Sequence, residues 1–170
     1  MRTALIEINK MLRKGIFSGY AIGGSVATLF YVEPTVTYDL DVIVNIPNSA
    51  NLDPLREIFN WASDNNFPIS GEHIIINGLP VQFLPAYNPL IIESLKKSLA
   101  MDYEGVSTNV IAPEYLVAIM IQTFRPVDKE RASRFINDYK PLDLNRLEVI
   151  CREYGIIEKY NKIMALRNER

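Results

Sequence analysis

Two short segments carry residue types that could do chemistry together: Gly23-Gly24-Ser25 and, thirteen residues later, Asp39-Leu40-Asp41. Adjacent glycines lack Cβ atoms, so a bulky anion can approach the backbone closely. A helix opening at Ser25 would present unbonded N–H groups and the positive end of its dipole, and Ser25 adds a hydroxyl. That is a phosphate cradle. Asp39 and Asp41 stand two apart in a strand-like run, so both side chains leave one face, with Cα atoms roughly 6.5–7 Å apart. Carboxylates that close repel by about 2–3 kcal/mol at an effective dielectric of about 20. A hard divalent cation, Mg²⁺ (or Mn²⁺), converts that repulsion into binding because it takes carboxylate oxygens. Cradle and carboxylates together suit a nucleoside triphosphate bridged to one or two metal ions for in-line attack.

The flanking pattern supplies the elements that must position these groups. A strand over Phe17–Ile22 leads into the glycines. Ser25 is the N-cap or a first-turn residue of a helix to about Tyr31, which Glu33-Pro34-Thr35 breaks. Val36–Ile46, rich in Val, Ile and Tyr, is the carboxylate-bearing strand and closes at Pro47-Asn48. Upstream, Thr3–Lys14 shows a helical stripe of Ala4, Leu5, Ile8, Met11 and Leu12, stopped by Gly15. Downstream, Asn51 or Asp53 caps a helix over Pro54–Asn66 that buries Leu55, Ile58, Phe59 and Ala62.

Asn77-Gly78 marks a hairpin between Glu72–Ile76 and Leu79–Leu84. A helix over Pro89–Ser98 follows, then strands Met101–Glu104 and Ser107–Ile111 with Gly105 at the turn. From Pro113 the pattern is helical: Pro113–Phe124, Lys129–Asp138, Asp143–Glu153 and Ile156 to about Arg167. The expected class is α+β, a mixed β-sheet core flanked by helices over residues 1–112, with residues 113–170 a C-terminal helical region packed on it.

Composition narrows the function classes. The chain has 170 residues, 48% hydrophobic and 22% charged, enough for a sizeable core. No run of eighteen apolar residues suggests a membrane span, and the amphipathic start does not read as a signal peptide. A lone cysteine, Cys151, gives no internal disulfide and points to a reducing, cytoplasmic setting. With one histidine, His73, it cannot build a Cys/His zinc site, so any metal must sit on oxygen. A net charge of −2 speaks against a broad nucleic-acid surface.

Tyr20-Ala21-Ile22-Gly23-Gly24-Ser25-Val26-Ala27 with Thr37-Tyr38-Asp39-Leu40-Asp41 resembles the signature of the nucleotidyltransferase superfamily that includes DNA polymerase β. More narrowly it is similar to the minimal bacterial nucleotidyltransferases, among them toxins of toxin–antitoxin and abortive-infection systems. The stretch Ala112-Pro113-Glu114-Tyr115-Leu116 to Arg125-Pro126-Val127-Asp128-Lys129-Glu130-Arg131 extends the resemblance, which covers Phe17 to Asp138. It implies a nucleotidyltransferase-like core in which Gly23, Gly24 and Ser25 hold triphosphate while Asp39 and Asp41 bind metal and are catalytic. Lys129, with Asp128 and Arg131, lies in a segment whose charges face the nucleotide in such proteins. Where members carry a third carboxylate that deprotonates the acceptor, the matching position here is Gln82, whose amide cannot take a proton at neutral pH. Glu72 is the candidate substitute.

The implied activity is transfer of a nucleoside monophosphate from a triphosphate to a hydroxyl acceptor, with transfer RNA, a protein and a small molecule all open as acceptor. The alternative is a catalytically silent nucleotide-binding regulator or toxin–antitoxin partner. Other residues read more plainly. His73 is a surface or satisfied strand histidine, Cys151 a buried small hydrophobe, and Trp61, Phe59 and Phe67 packing residues. Arg125, Lys129, Arg131 and Arg134 read as a solvated helix face, with phosphate contact as the alternative.

Overall fold

A computed structural model of the chain describes residues 1–32, 39–47 and 53–168, with side chains to Ala165. In order the elements are α1 (Arg2–Arg13), β1 (Gly19–Ile22), α2 (Gly24–Thr28), β2 (Leu40–Asn45), α3 (Arg56–Asp64), β3 (Ile69–Ser70) and β4 (His73–Ile76). There follow β5 (Leu79–Pro85), α4 (Pro89–Lys96), β6 (Leu99–Tyr103), β7 (Val106–Val110), α5 (Pro113–Thr123), α6 (Pro126–Asp138), α7 (Leu144–Glu153) and α8 (Ile157–Asn168). The expected α+β class is what the structure has.

The strands form one mixed sheet in the order β3-β4-β5-β2-β1-β7-β6. The pairs β2·β5 and β1·β7 are parallel and the others antiparallel. Two left-handed dipeptides set the hairpins. Asn77 and Gly78 have φ of 50° and 83°, and Glu104 and Gly105 have 51° and 77°, the mirror-image turn whose twist matches paired strands.

Alternation divides the sheet into two faces. One carries Tyr20, Ile22, Leu40, Val42, Val44, Ile74, Ile76, Val81 and Phe83, all buried. Helix α1 is fastened to that face: Tyr20 donates its hydroxyl hydrogen to Asn9 Oδ1 at 2.8 Å, and Asn9 Nδ2 donates to the Ser107 carbonyl at 2.9 Å. The other face carries buried Ala21 and Ile43 and then opens at Asp41, Gln82 and His73. Helix α4 lies against β1 and β2, α5 packs on α4, and α6, α7 and α8 pack around α5. Buried residues before and after Pro113 belong to one hydrophobic cluster.

Several boundaries differ from expectation for local reasons. The first strand begins at Gly19, because Phe17 turns inward and buries its ring against Tyr20 and Phe83. Helix α2 has five residues and ends at Thr28; its chain continues in tighter turns, with Phe30 N donating to the Ala27 carbonyl and Tyr31 N to that of Thr28. Helix α3 starts at Arg56 with no side-chain cap, so Asp53 does not cap it. The Asn51 alternative, the break at Glu33-Pro34-Thr35, and Thr37, Tyr38 and Asn48 lie outside the described residues. The two-residue β3 was not expected; both its residues are exposed and it carries no apolar alternation.

Candidate active site

Strand register brings the polar residues into one row. Asp41 pairs with Gln82 across β2·β5, Gln82 with His73 across β5·β4, and His73 with Ser70 across β4·β3. Directly paired residues share a face, and Asp39, two positions before Asp41, joins that face. His73 Nε2 lies 3.8 Å from Asp39 Oδ2. A cleft of about 400 Å³, lined by Asp39, Ser70, His73, Ile75 and Pro80, opens at the β3–β4 end of the row. At the opposite end stands the glycine turn, tied to β2 by Gly23 N donating to the Asp41 carbonyl at 3.0 Å.

The glycines have a reason that spacing did not reveal. A Cβ on Gly24 would fall inside the Asp41 carboxylate, 2.7 Å from its Cγ, and Gly24 sits at φ +55°, where L side chains are strained. A Cβ on Gly23 would meet Ile43 Cδ1 at 3.0 Å. The bare backbone therefore makes room first for the protein's own carboxylate. Past Gly23, the N–H groups of Gly24, Ser25 and Val26 precede the first helical bond, Ala27 N to the Gly23 carbonyl. Because α2 is so short, those N–H groups, rather than a long helix dipole, are what the turn can offer an anion.

Burial pushes the Asp41 carboxyl up to about 6, and the neighbouring Asp39 charge adds to the rise; His73, Arg131 and Arg125 oppose it. Two cations from the helical region thus act on the Asp41 carboxylate. Arg125 is held in place: its Nε and Nη2 donate to Asp128 at 2.6 and 3.2 Å, and Thr123 Oγ1 donates to the same carboxylate at 2.7 Å. Burial works to raise the Asp128 carboxyl, but the Arg125 and Thr123 hydrogen bonds outweigh it and leave it below the usual range.

Not every expected residue joins the row. Asp128 is turned to Arg125, and the Lys129 ammonium rests over the Phe124 ring, 5.0 Å from its centroid. Glu72 lies in the exposed turn before β4, outside the paired row. His73 had read as incidental, yet it faces Asp39. Its place could have been counted from the hairpin: a two-residue Asn77-Gly78 loop pairs Ile76 with Leu79, and stepping back three residues on each side pairs His73 with Gln82. Cys151 is buried as expected, and burial raises its thiol to about 12. Trp61 stacks on Phe67 with centroids 5.4 Å apart.

The donor set fits a hard cation. Asp39 and Asp41 supply carboxylate oxygens and Gln82 an amide oxygen; among the described residues no three His, Cys, Asp or Glu side chains converge on one point, here or elsewhere. Mg²⁺ asks for little more from a protein, since it keeps several waters and completes its shell with substrate phosphates. A cation there would also relieve the repulsion that raises Asp41.

Solved structures share this architecture. An antigenic nucleotidyltransferase-like protein from Paracoccidioides brasiliensis matches 96% of this chain and 89% of its own at a TM-score of 0.56 and 14% identity. The chain has a nucleotidyltransferase-like fold. ANT(2'')-Ia in complex with adenylyl-2''-tobramycin matches 91% of this chain and 97% of its own, at a TM-score of 0.57 and 14% identity. The solution structure of that antibiotic-resistance factor matches 99% and 98%, at 0.54 and 14%. At such identity the likeness carries the fold alone. No family model and no curated protein matches the chain.

Proposed function

We propose that this protein is a metal-dependent nucleotidyltransferase that moves a nucleoside monophosphate from a triphosphate to a hydroxyl acceptor and releases pyrophosphate. The observation that carries the reading is the Asp41 carboxylate seated in the space left by Gly24, which sets that carboxylate directly against the glycine turn. Asp39 and Asp41 would hold Mg²⁺ or Mn²⁺, which when bound neutralises phosphate charge and sets the triphosphate in line for attack. Gly23, Gly24 and Ser25 cradle the phosphates. Gln82, beside Asp41, orients the acceptor or a water through its amide without removing a proton.

The cleft at the other end of the row receives the acceptor. Its volume suits a small hydroxylated molecule, in line with the tobramycin adduct in the ANT(2'')-Ia complex; a protein or transfer-RNA hydroxyl is the competing choice.

Gln82 favours a second reading, a nucleotide-binding but catalytically silent regulator, such as a toxin–antitoxin partner. Incubation with each α-phosphate-labelled nucleoside triphosphate and Mg²⁺, with tobramycin, total transfer RNA or a protein extract as acceptor, separates the two. Label transfer that Asp39→Ala abolishes supports the enzyme. Transfer unchanged in Asp39→Ala contradicts it, and tight Mg²⁺-dependent binding without turnover selects the silent regulator.

A further inference from the structure

The two edges of the sheet are finished differently. At one edge the outer strand, β3, has two residues, and very short edge strands resist pairing. At the other edge β6 has five, Leu99–Tyr103, and is paired on one side only, with β7. Its register with β7 runs without a bulge, and the strand holds no proline and no lysine, the usual guards of a bare edge.

The direction of its free backbone groups follows from the hairpin. The two-residue turn Glu104-Gly105 makes Tyr103 and Val106 a hydrogen-bonded pair. Bonded and non-bonded pairs alternate along an antiparallel ladder, so Leu99, Met101 and Tyr103 turn their N–H and C=O groups to β7. Those of Ala100 and Asp102 point away from the sheet, where no backbone partner meets them among the described residues.

A second β6 fits these groups. Ala100 and Asp102 flank Met101, so a two-fold axis at Met101 sets Ala100 opposite Asp102 of the second copy and gives two hydrogen-bonded pairs related by the axis. The Asp102 charge then faces alanine rather than its own equivalent. On the opposite face Leu99 stands beside Tyr103 of the second copy and Met101 beside Met101, one apolar row. Leu99 is exposed and Met101 and Tyr103 are half-buried, so that row has area left to cover. Charge selects the direction. The segment runs from a basic end, Lys96 and Lys97, to an acidic one, Asp102 and Glu104. Both lysines are exposed, and their contacts to Glu93 are long, 3.7 and 4.0 Å. An antiparallel copy sets each basic end beside an acidic one, whereas a parallel copy matches like with like.

We propose that β6 of one copy pairs antiparallel with β6 of a second about an axis at Met101, giving a homodimer with one continuous sheet. The cleft beside β3 and β4 lies at the far end of each half and stays open. This goes beyond the nucleotidyltransferase reading and does not depend on it.

Sedimentation velocity of the full-length protein, from micromolar to hundreds of micromolar, tests the proposal. The wild type should pass from monomer to dimer. Ala100→Asp, at an exposed position, sets like charges opposite each other twice per dimer and should weaken association about tenfold or more. Ala100→Lys should associate at least as tightly as the wild type, and adding Asp102→Asn to Ala100→Asp should restore association. Met101→Cys should oxidise to a disulfide-linked dimer, because facing non-bonded residues have Cα atoms about 4.5 Å apart. Ala100→Cys should not, and the native Cys151 is buried. A wild-type protein that stays monomeric throughout overturns the proposal, whether the edge then takes a strand of another protein or none. So does a dimer that Ala100→Asp leaves unchanged, since it must use another surface.

Discussion

Strands β2 and β5 carry two different proteins on their two faces. Leu40, Val42, Val44, Val81 and Phe83 face the core and are shielded from water, whereas Asp41 and Gln82 alternate with them and face the site. The first set follows the hydrophobic rule for a half-buried strand. The second breaks it in the middle of the sheet, at a place where a carboxyl is raised by burial and by a like charge. Core packing supplies the stability against which the polar row can be held in an unfavourable state. The strand backbone is common to both, so the rigid apolar face also fixes the spacing of the polar one.

That contrast breaks most visibly from the apolar side. Phe83→Ala removes a ring packed on Phe17 and should cost about 3–5 kcal/mol, read as a lower denaturant midpoint. Next comes Gly24→Ala, where the left-handed backbone alone costs about 1–2 kcal/mol. Because the new methyl must also displace Asp41, Mg²⁺-dependent nucleotide affinity should fall at least tenfold, which a strain effect on folding alone would not produce.

From the polar side the sign reverses. Asp41→Asn removes a charge that the fold disfavours, so with chelator present it should stabilise the protein by about 1–2 kcal/mol at neutral pH. The pH dependence follows. Native Asp41 titrates at about 6, above its ordinary value of 3.8, so the native state holds the proton more tightly. Metal-free wild type should gain stability as pH falls from 7 through 6 and lose it as pH rises, and Asp41→Asn should lack that slope. A flat profile in both proteins would mean that Asp41 is solvated rather than buried against Asp39. The smallest effect lies far from the row: Cys151, buried with its thiol raised to about 12, should resist alkylation at pH 8 until the chain is unfolded.

Much of this frame can be read from the residues because its signals are local. The dipeptide Asn77-Gly78, the Pro at the start of α4 and α5, and Asp143, whose carboxylate accepts from Arg146 N, mark turns and caps without reference to the rest of the chain. Asp39, Asp41 and the glycines declare themselves through residue type and spacing. What escapes is non-local. The reason for Gly24 is a side chain seventeen positions away. Strand β3, exposed on both sides, leaves no hydrophobic pattern to find. Helix α2 stops early because its tail tightens into turns, with the Tyr31 hydroxyl donating to the Ile111 carbonyl at 2.8 Å, a partner eighty residues away.

The central claim is that the aspartate pair and the glycine turn form one site for a metal-bound triphosphate. Calorimetric titration of the protein with each of the four nucleoside triphosphates, with and without Mg²⁺, tests it when repeated on Asp39→Ala/Asp41→Ala. The account predicts Mg²⁺-dependent binding in the wild-type protein and its loss in the double variant. Binding that survives the double substitution, or no binding in a folded wild-type protein, would contradict it.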